Sequence, residues 1–173
     1  MSWTAAISAK QETILQLGGA NSGNDLKGVA VLLAEDNDVN QVVGMRQLKK
    51  IGCNVDVAAN GSEAVAKWTE KKHRIVLLDC QMPEMDGYEA AQKIREIERE
   101  QKLPQTYIIA LTACAMQGDR ELCLAAGMDD YIPKPVKEGE LKAALERGLA
   151  KNQKSFSAMG GNLREGSKES LKI

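Results

Sequence analysis

Apolar residues along this chain fall into short unbroken runs, and the stretches between them repeat at the helical period. Four runs stand out because each stops on a polar side chain. Val29–Ala34 precedes Glu35-Asp36, Ile75–Leu78 precedes Asp79, Tyr107–Leu111 precedes Thr112, and Tyr131-Ile132-Pro133 precedes Lys134-Pro135. Continuous Val/Ile/Leu runs are what strands of a parallel sheet require when helices cover both faces. Residues 53–59 alternate instead, with Val55 and Val57 around Asp56, as an edge strand with one drier face does.

The intervening segments read as helices. One is expected from about Val39 to Ile51, with Val42, Val43, Leu48 and Ile51 on one face, closed by Gly52 where a positive φ suits a C-cap. Asn60 with Glu63, and Asp86 with Glu89, form capping pairs. They open a helix through Trp68 and a helix carrying Ala90, Ile94 and Ile97. A fourth spans roughly Gln117 to Ala126 and stops at Gly127. A fifth, about Val136 to Ala150, buries Leu141, Ala144, Leu145 and Leu149. Five alternating βα units predict an α/β fold with a doubly wound parallel sheet. Outside them, residues 1–26 read as a linker with a short helix over 3–17 and a Gly/Ser/Asn connector over 18–24. Residues 27–152 form the domain, and residues 153–173 a flexible polar tail.

Composition narrows the class. The chain has 173 residues, 43% hydrophobic and 27% charged, and only 3% aromatic, so the core is built from aliphatic side chains. No apolar run approaches the roughly 20 residues that span a bilayer, and no basic segment leads an apolar one at the start, so a cytoplasmic location without membrane contact is expected. Residues 28–150 carry 16 Lys/Arg against 20 Asp/Glu, a net −4, while the flanks carry 7 against 4, a net +3. That distribution argues against nucleic-acid binding, and with 23 residues after Ala150 no DNA-binding output domain is expected in this chain. Cys53, Cys80, Cys114 and Cys123 include no C-x-x-C pair, which argues against zinc. They read as small buried thiols of a reducing compartment, with a redox pair of Cys80 and Cys114 the less favoured alternative. His73, between Lys71-Lys72 and Arg74, reads as a solvated loop residue.

The polar run ends carry the chemistry, because ligands of open α/β sheets bind at the carboxyl ends of the strands. Adjacent carboxylates Glu35 and Asp36 at a strand end repel each other, and a hard divalent cation offsets that cost. Capping of the next helix falls as readily to Asn37 or Asp38. Asp79 ends the most hydrophobic run, hence a central strand, and beside a cation and an ammonium it can act as a nucleophile on phosphorus. The hydroxyl of Thr112 and the ammonium of Lys134 suit phosphoryl oxygens.

These segments resemble the receiver domain of two-component response regulators, the CheY-like fold, from about residue 27 to 150. Leu33-Ala34-Glu35-Asp36-Asn37 resembles the family's acidic pair. The stretch from Leu77 through Asp79, Pro83 and Gly87 resembles its phospho-acceptor loop, Ala110-Leu111-Thr112-Ala113 its threonine segment, and Tyr131–Pro135 its lysine-proline ending. Asn40-Gln41 after the acidic pair is similar to the receivers at the C-terminus of hybrid histidine kinases. The resemblance implies a flavodoxin-like sheet of order 2-1-3-4-5 and phosphorylation of Asp79 by a phosphohistidine on a histidine kinase or phosphotransfer protein. It implies Mg²⁺ held by Asp36, Asp79 and the Gln81 carbonyl, with Glu35 acting through water. Thr112 and Lys134 would contact the phosphoryl group, Tyr131 would switch rotamer with Thr112, and Gln81 and Cys114 would tune hydrolysis. Two other classes fit less well. A small-molecule aspartyl-phosphate hydrolase places a second Asp where Gln81 stands, and a scaffold would bind partners without phosphorylation.

Overall fold

The computed structural model describes residues 25–114 and 116–160. The expected N-terminal helix and connector, and most of the tail, lie outside them. Ten elements alternate: β1 (Ala30–Ala34), α1 (Asp38–Ile51), β2 (Asn54–Ala58), α2 (Gly61–Lys71), β3 (Ile75–Asp79), α3 (Gly87–Gln101), β4 (Tyr107–Thr112), α4 (Gln117–Ala125), β5 (Asp130–Pro133) and α5 (Glu138–Gly160). All five strands are parallel, in the order β2-β1-β3-β4-β5. The run ending at Asp79 is the central strand and is buried at every position.

The strands' alternation divides the core in two. Leu32, Ala34, Val76, Leu78, Ile108 and Ala110 face α2, α3 and α4, where Trp68, Ala90, Ile94 and Cys123 meet them. Val31, Leu33, Ile75, Leu77, Ile109 and Leu111 face α1 and α5, against Leu48, Leu141, Leu145 and Leu149. Both faces of β1, β3 and β4 are thus apolar, so on these strands a charged side chain fits only at the ends.

The helix starts follow the capping chemistry. Asn37 caps α1, its side chain accepting from Val39 N–H and Asn40 N–H at 3.0 and 3.1 Å. Asp86 and Glu89 form a reciprocal capping box on α3. At α2 Asn60 accepts from Glu63 N–H, while the Glu63 carboxylate reaches one residue further, to Ala59 N–H. Gly52 closes α1 at φ 108°.

Three expectations need correction. Val42 and Val43 do not join Leu48 in the core but are 41% and 48% exposed. At about 100° per residue they sit roughly 120° and 140° around the helix from Leu48, whose inward neighbours are Gln41, Gly44 and Ile51. The last helix starts at Glu138 and runs to Gly160, past the expected end at Ala150 and into the expected tail. Polar residues do not stop a helix, and no Gly or Pro intervenes between Ala150 and Gly160. His73, expected in solvent, is 1% exposed, and its Nε2 lies 2.7 Å from Asp56 Oδ2. A carboxylate only accepts, so Nε2 carries the proton. Nδ1 has no hydrogen-bond partner among the described residues.

Buried polar groups cluster at the edge where the strands begin. Glu98, 3% exposed, accepts from Thr106 N–H and from Arg95, while Arg95 also pairs with Asp129 at 2.7 Å and donates to the Gly127 carbonyl. Trp68 Nε1 donates to the Thr106 hydroxyl at 2.8 Å.

Two outcomes follow from this edge. Glu98→Ala leaves the buried Thr106 amide without its acceptor and takes one of two carboxylates from Arg95, lowering unfolding free energy by about 3 kcal/mol, measurable in urea. The hydrogen bonds from His73 and Lys71 hold the Asp56 carboxyl below its usual value. The stability they contribute is present above the unfolded-state pKa and is lost as pH falls through the lower folded-state value. The stability gap between wild type and Asp56→Asn therefore narrows below about pH 4, which acid unfolding followed by circular dichroism checks.

Candidate functional site

The carboxyl ends of β1, β3, β4 and β5 deliver the predicted residues to one rim. Glu35 follows β1 and is 2% exposed; Asp79 ends β3 at 5%; Thr112 ends β4 at 4%. Lys134 follows β5, whose turn carries a cis Lys134-Pro135 peptide bond. Its ammonium bridges Asp79 Oδ2 at 2.7 Å and Glu35 Oε2 at 2.8 Å, joining positions far apart in sequence. Asp36 is exposed beside them. One carboxylate oxygen each from Glu35, Asp36 and Asp79 lie within 4.8 Å of one another. Because Asn37 takes the helix cap, neither member of the acidic pair is spent on it.

Further hydrogen bonds fix the two buried acids. Asp79 Oδ1 accepts from Gln81 N–H at 3.1 Å, and Glu35 Oε1 accepts from Asn37 N–H and Asn40 Nδ2 at 3.2 and 3.3 Å. Gln41 Nε2 donates to the Glu35 carbonyl at 2.6 Å. Burial raises the Glu35 carboxyl, but Lys134 and the Asn37 and Asn40 donors outweigh it and hold it below its usual value. Burial dominates at Asp79 and, with the Glu35 charge, lifts its carboxyl above the usual range despite Lys134 and Gln81 N–H. At Lys134 burial opposes the charge, yet Asp79 and Glu35 together hold the ammonium above its usual value.

Not every predicted residue joins this cluster. The Thr112 hydroxyl is turned onto its own loop, donating to the Cys114 carbonyl at 2.7 Å and accepting from Cys114 N–H at 3.2 Å. Its backbone carbonyl accepts from Lys134 N–H at 2.7 Å, so β4 still holds the lysine turn. Tyr131 lies on β5, 37% exposed, and Gln81 is exposed at the rim. Cys114 is exposed rather than buried, while Cys53, Cys80 and Cys123 are buried. Burial, with Cys123 alongside, pushes the Cys80 thiol up to about 12 despite a hydrogen bond with Tyr88. That is the property of an inert core thiol.

Sequence reasoning missed three contributors. Asn40 and Gln41 marked only a subtype, although polar residues in the first helical turn after an acidic pair are placed to reach back to it. Gly87 is required by contact. A Cβ there would lie 2.3 Å from the Asp79 carbonyl oxygen, so α3 approaches the acceptor's backbone through a residue without a side chain.

The response regulator receiver domain family matches residues 31–146. The chain belongs to this family. A receiver domain of a sensor histidine kinase from Pseudomonas aeruginosa, solved with magnesium in its active site cleft, is 44% identical. That match covers 71% of this chain and 98% of that one, with a TM-score of 0.65. The receiver domain of the Saccharomyces cerevisiae response regulator Ssk1, solved with the histidine phosphotransfer protein Ypd1, is 32% identical. It covers 72% of this chain and 91% of that one, with a TM-score of 0.68. Hybrid signal transduction histidine kinase L of Dictyostelium discoideum is 39% identical over 132 residues, 74% of this receiver chain but 8% of that protein. The receiver thus spans a small fraction of the curated relatives it matches.

Three hard oxygen donors in reach of one point, in a cleft open at Asp36, fit a small divalent cation. Without one, the ionised form of Asp79 is a net cost to the fold. Its folded-state pKa lies above the unfolded value, so metal-free protein gains stability as pH falls between the two. In EDTA at neutral pH, Asp79→Asn is therefore more stable than wild type by roughly 1 kcal/mol, and saturating Mg²⁺ reverses the order. Urea unfolding with and without Mg²⁺ checks both.

Proposed function

We propose that this receiver accepts a phosphoryl group on Asp79 within a phosphorelay. The observation that carries the reading is the Lys134 bridge between Asp79 and Glu35, with Asp36 completing a three-carboxylate cluster. Glu35, Asp36, Asp79 and the Gln81 carbonyl would hold Mg²⁺, which neutralises charge on the transferring group when bound. The Asp79 carboxylate attacks phosphorus, a P–O bond forms, and the P–N bond to the donor histidine breaks with the imidazole as leaving group. Lys134 already touches the acceptor carboxylate and supplies positive charge where phosphoryl oxygens arrive.

The Thr112 hydroxyl is the second phosphoryl contact. Reaching it requires release from the Cys114 loop, and Tyr131, half-exposed on the neighbouring strand, takes up the space vacated. That rearrangement is the switch from one loop conformation to the other. Gln81 and Cys114 flank the acyl phosphate and tune attack by water.

The donor is a histidine kinase or a phosphotransfer protein. Val39, Val42 and Val43 form an exposed apolar strip on α1, 70%, 41% and 48% exposed, next to the acidic pair. A strip of this kind at the mouth of the cleft suits an apolar helical partner. Relatives that are hybrid histidine kinases favour a receiver working within or beside such a kinase, in the cytoplasm, where the free cysteines stay reduced. Among the described residues no helix is long and apolar enough to cross a membrane.

Acetyl phosphate with Mg²⁺ adds one phosphoryl group to the wild-type chain, seen by intact-protein mass spectrometry. EDTA abolishes the gain, Asp79→Asn shows none, and Lys134→Ala slows it at least tenfold. Absence of any gain in the wild type favours the unphosphorylated scaffold.

A further inference from the structure

We propose that Asn40 and Gln41 are positioning residues that clamp Glu35, and through it Lys134, in the phosphoryl-transfer site. The inference deepens the phospho-acceptor reading and rests on it for its functional meaning, and it adds the contacts of Asn40 and Gln41 to the Lys134 bridge. Glu35 is a buried carboxylate with two chemically equal oxygens. Its donors are divided between them: Asn37 N–H and Asn40 Nδ2 on Oε1, Lys134 Nζ on Oε2. Dividing the donors removes the freedom of the carboxylate plane to rotate, so Oε2 stays toward Lys134 and Asp79. The amide of Asn40 has one possible orientation, since a carboxylate cannot donate to its carbonyl oxygen.

Gln41 acts one bond away. Its Nε2 donates to the Glu35 carbonyl at 2.6 Å, and that carbonyl belongs to the peptide joining Glu35 to Asp36. The root of the exposed Asp36 side chain is thereby tied to the first turn of α1. Asn37 caps that turn, so the tie is to a fixed helix end and not to a loop. The acidic pair is held by α1 on one side and by Lys134 on the other. Neither Asn40 nor Gln41 belongs to the metal-side oxygens, and the hydrogen bonds of Asp79 go to Gln81 and Lys134 instead. Their role is to set where Glu35 and Asp36 point, as partners of ligands do in other metal sites.

The test uses the full chain with Asn40→Ala, Gln41→Ala and Asn40→His, whose Nδ1–H can stand near the lost amide donor. Three quantities are read: Mg²⁺ affinity by calorimetry, the Lys134 ammonium signal by ¹H–¹⁵N NMR in EDTA, and melting temperature. Each alanine variant weakens Mg²⁺ binding roughly tenfold and broadens or shifts the Lys134 signal, with melting little changed. Asn40→His recovers most of the Asn40→Ala loss. Wild-type affinity and an unmoved Lys134 signal in both alanine variants overturn the proposal. So does an affinity loss that tracks melting temperature across the set without recovery in Asn40→His, which marks a role in helix stability alone. A wild-type chain that takes no phosphate from acetyl phosphate sinks the phospho-acceptor reading instead, because the Lys134 signal is read without metal or phosphate.

Discussion

The ammonium of Lys134 sits between two carboxylates that the fold has taken out of water, and the arrangement of the rim depends on that contact. Three strands meet there: β1 brings Glu35, β3 brings Asp79, and the turn after β5 brings the cation. Each group alone would be costly to bury, and together they are tolerable because the charges face each other at hydrogen-bonding distance. The balance is incomplete, since burial still lifts Asp79 while Glu35 is held down. A site with two buried acids and one fixed cation is left in electrostatic want of a further positive charge, and Asp36 stands at the open side where one would enter.

The sheet explains why this chemistry is confined to one edge. Every strand residue of β3 and β4 is buried, and helices cover both faces. Polar side chains are excluded from the middle of these two strands and appear only where they stop. The opposite edge has its own polar set, Glu98, Arg95, Asp129, Thr106 and Trp68, but those groups satisfy one another. One edge is closed by complementary partners and holds the fold together; the other keeps its acids partly unneutralised.

Much of this could be read from residues alone. The rim residues were legible because a buried run that ends on Asp or Lys has few structural reasons to do so. The sheet order came through the family resemblance, and the central place of β3 through its unbroken hydrophobicity. What escaped was decided by three-dimensional context. His73 sits in a run of cations that suggests solvent, yet Asp56 on the edge strand, itself half-exposed, offers the buried imidazole a partner. Val42 and Val43 are as apolar as core residues, and only their angle around α1 leaves them outside. Thr112 reaches the right strand end, but its hydroxyl bonds to its own loop. A side chain with several local acceptors cannot be aimed by strand position. Asn40 and Gln41 have ordinary helix-surface composition, and only the direction of their amides reveals what they hold.

The path of the backbone at the far edge has its own meaning for architecture. Gly28 N–H bonds to the Gly52 carbonyl just before β1, and Asn152 on α5 bonds to the Arg74 carbonyl just before β3. The strand leading in and the helix leading out are therefore anchored on the same side of the sheet, opposite the acidic cleft. Polypeptide joined at either place attaches at the edge away from the reacting groups. Such a unit can be spliced into proteins of very different length without its points of attachment falling among the reacting groups.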